Sequence, residues 1–207
     1  KDLSSNKIID ESIFNSSGNV IWDNSNEFIF YTKKDPKTLI TNKVFKHKLG
    51  DKQENDLLIY QEKDPEFNLS ISKSRLKKYL FINISKTESS ETWILDLAKD
   101  NAKPICFLKR QENHLYSVTE NHDCFYVITN KDNCKNFKII KTNLNLSSDL
   151  FNWKTIIEHS EESYIEGLDT FKEYFYLETR EDGLPKIKKI KKSDLSVEYI
   201  KFDDPAY

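Results

Sequence analysis

The residues in this sequence that are best suited to metal binding or nucleophilic catalysis are its histidines and cysteines. They are few: His47, Cys106, His114, His122, Cys124, Cys134 and His159. Their spacings match no common zinc pattern, and no two cysteines form a Cys-x-x-Cys pair. Cys106 and Cys124 also stand in apolar, strand-like stretches, where a thiol packs as a small hydrophobic side chain. We therefore assign these residues to packing and predict no metal ion and no cofactor.

A serine nucleophile would need a setting that this sequence does not offer. In α/β-hydrolases the serine lies in a Gly-x-Ser-x-Gly motif, on a strained turn between a strand and a helix. None of the glycines, Gly18, Gly50, Gly167 and Gly183, is followed two residues later by serine. A triad could also be assembled from serines, aspartates and histidines elsewhere in the sequence, but the only support for it would be that these residues are present. The sequence therefore predicts no catalytic triad in this chain.

A repeat along the chain shows which elements would have to position any functional side chains. Aromatic and β-branched stretches that run into polar turns begin at Phe28, Tyr79, Cys124 and Tyr174, with a period of about 48 residues. Each is preceded by one shorter strand-like stretch and followed by two more. Four strands in every unit of this length is the layout of a β-propeller blade.

The repeat predicts an all-β fold, a partial β-propeller of about four consecutive four-stranded antiparallel blades. We expect a polar lead-in segment over residues 1–18 and the propeller portion over 19–207, with blades at about 19–66, 67–112, 113–161 and 162–207. A β-sandwich with meander connections would also contain short strands and regular turns. It need not repeat one four-strand order at one period, so the propeller is favoured.

Charge and hydropathy exclude several classes of partner. The chain has 32 Lys and Arg against 34 Asp and Glu, a net charge of -2, which argues against a nucleic-acid or anionic-membrane binder. In the basic run at 184–192 (LPKIKKIKK), we expect Ile187 and Ile190 to pack while the lysines face water or guard a sheet edge. No apolar run is long enough for a membrane span, and no signal peptide is evident. We expect a cytoplasmic location, with neither nucleic acid nor membrane as a partner.

Several segments resemble, in the same order, the propeller of the prolyl oligopeptidase family of serine peptidases, and within it the oligopeptidase B group. The segments are FIFYTKKD (28–35), VFKHKLG (44–50), YQEKD (60–64), SKSRLKKYLFINISKTESSE (72–91), YSVTENHDCFYVITNKDNCKNFKI (116–139), LETREDGLPKI (177–187) and FDDPAY (202–207). The resemblance runs from about Val20 to Tyr207. It implies a propeller that admits only short peptides to an α/β-hydrolase domain, and cleavage after Arg and Lys.

Because no nucleophile elbow is present, the resemblance implies the substrate-gating portion of such a peptidase, inactive alone. Met is absent even at position 1, so we expect a fragment or a split-gene product. The implied partners are a separately encoded catalytic hydrolase part and short basic peptides. The alternatives are a free-standing propeller module that binds peptide or protein, and a decaying gene product without activity.

The first strand of each blade lines the central tunnel of a propeller, so polar residues on those strands are the candidates for contact with a peptide. They are Ser70, Ser117 and Glu166. The carboxylate of Glu166 would suit a basic peptide. The alternative is that all three simply solvate a water-filled channel.

Overall fold

The computed structural model describes residues 3–7, 12–99 and 101–202, and these form four antiparallel sheets. Blade 1 contains β1 (Ser16–Trp22), β2 (Phe28–Lys34), β3 (Thr41–Lys48) and β4 (Leu57–Gln61). Blade 2 contains β5 (Asn68–Lys73), β6 (Tyr79–Lys86), β7 (Ser89–Asp96) and β8 (Ile105–Leu108). Blade 3 contains β9 (Tyr116–Asn121), β10 (Cys124–Thr129), β11 (Lys138–Thr142) and β12 (Lys154–Ile157). Blade 4 contains β13 (Tyr164–Thr170), β14 (Tyr174–Glu181), β15 (Leu184–Lys191) and β16 (Val197–Tyr199).

In every blade the strands follow one another in chain order, each antiparallel to the next. The helices in the described ranges are single 3-10 turns, at Gln53–Asn55, Leu144–Leu146 and Leu150–Asn152. The predicted fold class, all-β with four consecutive four-stranded antiparallel blades, is therefore confirmed.

Strand β6 shows why these residues form stacked sheets. Its side chains alternate between the two faces of the blade. Leu80 and Ile82 pack towards blade 1, whereas Tyr79 and Phe81 pack towards blade 3. Both faces are covered, so the strand reads as a continuous apolar run.

The core is divided into three apolar clusters, one between each pair of neighbouring blades. Phe30 of blade 1 packs with Leu69 of blade 2, and Phe107 of blade 2 packs with Phe125 of blade 3. Between blades 3 and 4, Tyr126 meets Phe175 edge to face at 4.8 Å. Each blade is thus held mainly by its neighbours in the chain.

Some local expectations are modified by the structure. Strand β1 begins at Ser16, inside the stretch predicted as a lead-in, and that stretch lies only partly within the described residues. Strand β15, which carries the basic run, pairs with both β14 and β16, so it is not a sheet edge. Ile190 is buried as expected, but Ile187 lies half-buried on the opposite face.

Most of the FDDPAY segment, 203–207, lies outside the described residues, and the other blade boundaries stay predictions.

Candidate functional site

Ser70, Ser117 and Glu166 lie on β5, β9 and β13, the first strands of blades 2, 3 and 4. A first strand is paired on one side only, so its other edge is free. β1 contacts β5, and β9 contacts β13, which places these strands at the inner side of the arc of blades. All three residues are exposed there.

Two of the three candidates share one concavity of about 490 Å³. It opens where β9 and β13 begin, beside the hairpin that joins β6 to β7. Its lining residues are Ser85, Ser90, Leu115, Tyr116, Ser117, Ile128, Phe137, Tyr164, Ile165 and Glu166. The structure therefore brings Ser117 and Glu166 together but leaves Ser70, which faces Asn83 across β5 and β6, outside this group.

Blade 2 fixes the position of Ser117 through the preceding residue, Tyr116. The Ser90 hydroxyl accepts a hydrogen bond from the backbone N–H of Tyr116 at 2.7 Å and donates to its carbonyl at 2.9 Å. The Tyr116 hydroxyl accepts from the backbone N–H of Thr92 at 2.8 Å and donates to the carbonyl of Leu108. Burial raises the pKa of the Tyr116 hydroxyl, so this group stays neutral. The start of β9 is thereby locked to blade 2.

The carboxylate of Glu166 already has a cationic partner. Arg180 donates from Nε to Glu166 Oε1 at 2.8 Å and from Nη1 to the carbonyl of Gly183 at 3.1 Å. The pair forms across the bulge between Ile165 and Gly167, where β13 shifts its register on β14. The sequence predicted Glu166 as a partner for a basic peptide, but its pairing with Arg180 depends on a strand register that cannot be read from the spacing.

The rest of the concavity is mainly apolar. Phe137 and Tyr164 meet edge to face with ring centroids 5.5 Å apart. Among the described residues no hydrogen bond is formed by the hydroxyl of Ser85 or of Ser117, so both can serve an incoming group. The site can therefore supply hydrogen bonds and apolar contacts to an extended chain, but it presents no nucleophile with an adjacent base.

His47 forms a close contact with a carboxylate, but it is buried in blade 1, away from this concavity. His47 Nδ1 lies 2.6 Å from Asp56 Oδ1, and Tyr31 donates its hydroxyl hydrogen to Asp56 Oδ2 at 2.7 Å. Burial, followed by the hydrogen bond to Asp56, raises the pKa of Tyr31. This cluster, which the sequence did not reveal, ties β2 and β3 to the 3-10 turn before β4, and His47 is only 1% exposed. It is structural rather than catalytic.

The remaining histidines and cysteines do not assemble into a metal centre. His114 is buried, its Nε2 lies 2.8 Å from Thr129 Oγ1, and burial lowers its pKa. Cys124 and Cys134 are buried, and burial raises the pKa of the half-buried Cys106 to about 12. Within residues 3–7, 12–99 and 101–202 no group of three or more metal-ligating side chains is placed to hold an ion.

A second charged cluster that sequence reasoning missed joins blades 1 and 2. Glu91 accepts from the backbone N–H of Arg110 at 2.9 Å and from Arg110 Nε at 3.3 Å, and Arg110 Nη2 also contacts Glu62. The Arg110 guanidinium lies 4.0 Å from the centre of the Phe67 ring. Burial would raise the pKa of Glu91, but the hydrogen bonds from Arg110 and from the Trp93 indole outweigh it, and the net pKa is lowered.

No helix in the described part of the chain has the length and apolar character needed to cross a lipid bilayer.

Two sequence relatives of this chain carry the names of peptidases. It is 29% identical to dipeptidyl aminopeptidase BI of Pseudoxanthomonas mexicana over 207 residues, which is 100% of this chain and 28% of that protein. It is 29% identical to protease 2 of Moraxella lacunata, over 100% of this chain and 29% of that protein. The chain therefore spans less than a third of the length of these relatives.

Solved structures show the same architecture. Oligopeptidase B from Trypanosoma brucei with covalently bound antipain has a TM-score of 0.87 at 27% identity, over 96% of this chain and 29% of that one. Oligopeptidase B from Leishmania major has a TM-score of 0.85 at 25% identity, over 92% of this chain and 28% of that one. Residues 1–207 match the family described as "Prolyl oligopeptidase, N-terminal beta-propeller domain". The predicted resemblance is thus confirmed, and the chain belongs to the prolyl oligopeptidase family through its N-terminal β-propeller domain.

Proposed function

We propose that this chain is the substrate-gating portion of an oligopeptidase-B-like serine peptidase and is inactive alone. Its family and its similarity to oligopeptidase B support the proposal. The α/β-hydrolase part would be supplied by a longer form of this polypeptide or by a separately encoded partner. In both arrangements the propeller controls which peptides reach the catalytic serine.

The observation that carries the proposal is the concavity at the inner edges of blades 3 and 4. Ser85 and Ser117 present hydroxyls that can bond to peptide groups, while Phe137 and Tyr164 provide apolar walls. A volume of about 490 Å³ suits a few residues of an extended chain rather than a folded domain. Short peptides are therefore the ligand class that fits best.

The ion pair between Glu166 and Arg180 supports a preference for basic peptides, because a cationic side chain of the peptide can take the place of Arg180. The side chains of Glu166 and Arg180 are 32% and 48% exposed. An ion pair this accessible contributes only about 0–1 kcal/mol. A peptide arginine or lysine can therefore replace Arg180 on the Glu166 carboxylate at little cost. We propose that Glu166 selects basic side chains in this way, and that Ser70 contributes only where a longer peptide continues past the concavity towards blade 2.

Photo-crosslinking tests this assignment directly. A photoreactive residue at Ser117 should capture a short arginine-containing peptide, whereas the same residue at Ser148, exposed in the loop after β11, should not. Glu166→Gln should weaken capture of that peptide, but not of its citrulline analogue, in which the guanidinium is neutral. Equal capture at positions 117 and 148 would disprove the site. Capture at 117 that is indifferent to Glu166→Gln would disprove the selection of basic side chains.

The free cysteines support a proposal about location. Cys106, Cys124 and Cys134 form no disulfide. Unpaired thiols persist in reducing compartments, so we propose that the protein acts in the cytoplasm.

A further inference from the structure

The turn between β5 and β6 contacts all three of the other blades. On the side of blade 1, Asn24 donates its side-chain N–H to the carbonyl of Lys77 at 2.8 Å. On the side of blade 3, Glu120 accepts from the backbone N–H of Leu76 at 3.2 Å. The turn joins the first strand of blade 2 to the second, so it lies at the inner side of the arc. From there a long side chain of the same turn reaches blade 4.

That side chain is Arg75, which joins blade 2 to blade 4 past the intervening blade 3. Its Nη1 lies 3.3 Å from Oδ1 of Asp169, 94 positions later in the chain, and its guanidinium lies 3.9 Å from the centre of the Phe171 ring. A flat guanidinium can hold a carboxylate at its edge and an aromatic ring on its face at the same time. The apolar clusters of the core, in contrast, each lie between neighbouring blades. We call Arg75, Asp169 and Phe171 the clasp.

A buried residue of blade 3 holds the backbone at both ends of the clasp. Glu120, near the end of β9, is only 3% exposed. Its carboxylate accepts from Leu76, the neighbour of Arg75, and its carbonyl accepts from the hydroxyl of Thr170, the neighbour of Asp169, at 3.3 Å. The two halves of the clasp are therefore placed on either side of the end of β9.

The peptide concavity lies at the other end of the same first strands. β13 runs from Tyr164 at the concavity to Thr170 beside the clasp, a strand of 7 residues or about 20 Å. Ser85 and Ser90 line the concavity from blade 2, Tyr164 and Glu166 line it from blade 4, and residues of blade 3 lie between them. The width of the concavity is therefore the separation of blades 2 and 4, which is the distance that the clasp restrains.

We propose that Arg75 is a positioning residue for the peptide site, because its contact with blade 4 sets the width of the concavity. Its effect on peptide binding rests on the proposed function, but its effect on the width does not. The side chains of Arg75 and Asp169 are 41% and 66% exposed, so their contact adds little to the stability of the fold and is weakened by salt. A contact of this strength shifts the balance between a narrow and a wide concavity without unfolding the blades.

Distances between spin labels test the clasp without any peptide. Labels carried by ketone-bearing residues at Glu88 and Glu162, both exposed at the concavity end of blades 2 and 4, avoid the native cysteines. We expect a narrow distance distribution for the 207-residue chain and a longer, broader one for Arg75→Gln. Arg75→Lys, which restores the cation, should recover much of the narrow distribution. High salt should broaden the distribution of the wild type but not that of Arg75→Gln.

Peptide affinity tests the consequence for the site. The probe is an acetylated and amidated peptide, Ala-Ala-Arg-Ala-Ala. It should bind Arg75→Gln about three- to tenfold more weakly than the wild type, while the urea midpoint of unfolding stays the same. Arg75→Lys should recover most of the affinity. A residue that served only folding would move the midpoint together with the affinity.

Lys189→Gln is the matched control variant. Lys189 pairs with Glu198 at 3.1 Å and lies 4.7 Å from the centre of the Tyr174 ring, so it makes the same two kinds of contact, but both are within blade 4. It should leave the label distances and the affinity unchanged.

An unchanged distance distribution in Arg75→Gln, or an equal widening in Lys189→Gln, would overturn the proposal. A wider distribution in Arg75→Gln with wild-type affinity would overturn the positioning role. If the wild-type chain does not bind the peptide, the proposed peptide site fails, whereas the label distances still decide whether the clasp sets the width.

Discussion

Glu91 positions the arginine that joins blades 1 and 2. Its side chain is mostly buried and bonds to the backbone and guanidinium of Arg110, which also reaches Glu62 across the contact between blades 1 and 2. The paired form of Glu91 is favoured in the folded protein, since its pKa lies below the usual 4.5. A residue of this kind contributes to stability in a way that depends on pH.

We predict that Glu91→Gln lowers the free energy of unfolding at neutral pH. At acid pH, where the wild-type carboxylate is itself protonated, the substitution should have little effect. Because the folded-state pKa is lowered, the contribution of the carboxylate is fully present above about pH 4.5 and disappears as the pH falls through the folded value. The expected loss is about 1–2 kcal/mol at neutral pH, since Gln keeps an acceptor for Trp93 but removes the charge that faces Arg110. Urea unfolding at about pH 7 and at about pH 3 measures both values.

Glu198→Gln serves as the control, because the Glu198 carboxylate is largely exposed and, among the residues that the structure describes, pairs only with Lys189. It should change the free energy of unfolding by less than about 0.5 kcal/mol. A loss for Glu91→Gln that is as large in acid as at neutral pH would show that packing, not the ion pair, is responsible.

At the scale of elements, strands covered on both faces carry most of the packing. Phe175 on β14 lies in the cluster between blades 3 and 4, edge to face with Tyr126. Lys192 places its ammonium group 4.8 Å from the Phe175 ring on the same side of the sheet. The opposite face of β14 carries Tyr174, Tyr176 and Glu178.

Phe175→Ala should therefore be among the most destabilising substitutions in blade 4. Removing a fully buried ring costs about 3–5 kcal/mol, a large part of the stability of an ordinary domain. Val197→Ala, on the exposed edge strand β16, should cost less than about 0.5 kcal/mol. Thermal and urea unfolding of the two variants measure the difference. Similar losses for both would mean that blade 4 is not held by this cluster.

The elements were largely predictable from the sequence, but the contacts between their side chains were not. The aromatic stretches at Phe28, Tyr79, Cys124 and Tyr174 each became the second strand of a blade, because strand periodicity is a local property. The pairing of Glu166 with Arg180 depends on a bulge, and the buried His47–Asp56 contact depends on the turn before β4. Such contacts are set by register, which the order of residues alone does not fix.

At the scale of the whole molecule, four blades form an arc with two outer faces. The outer face of blade 4 carries the rings of Phe171, Tyr174 and Tyr176, whereas Tyr199 and Val197 pair with Lys188 and Ile190 on the face turned towards blade 3. Contiguous apolar surface of this kind is typical of a face that packs against another part of a protein.

The measurement that tests the central claim most directly is a peptidase assay on the purified chain, using a fluorogenic peptide with arginine at the cleaved bond. Light scattering during size exclusion would report the state of the same sample. We expect no hydrolysis above the buffer rate under the proposal that the chain gates substrates for a catalytic serine that it does not itself supply. Hydrolysis by a clean monomer that a serine-directed inhibitor abolishes would contradict it.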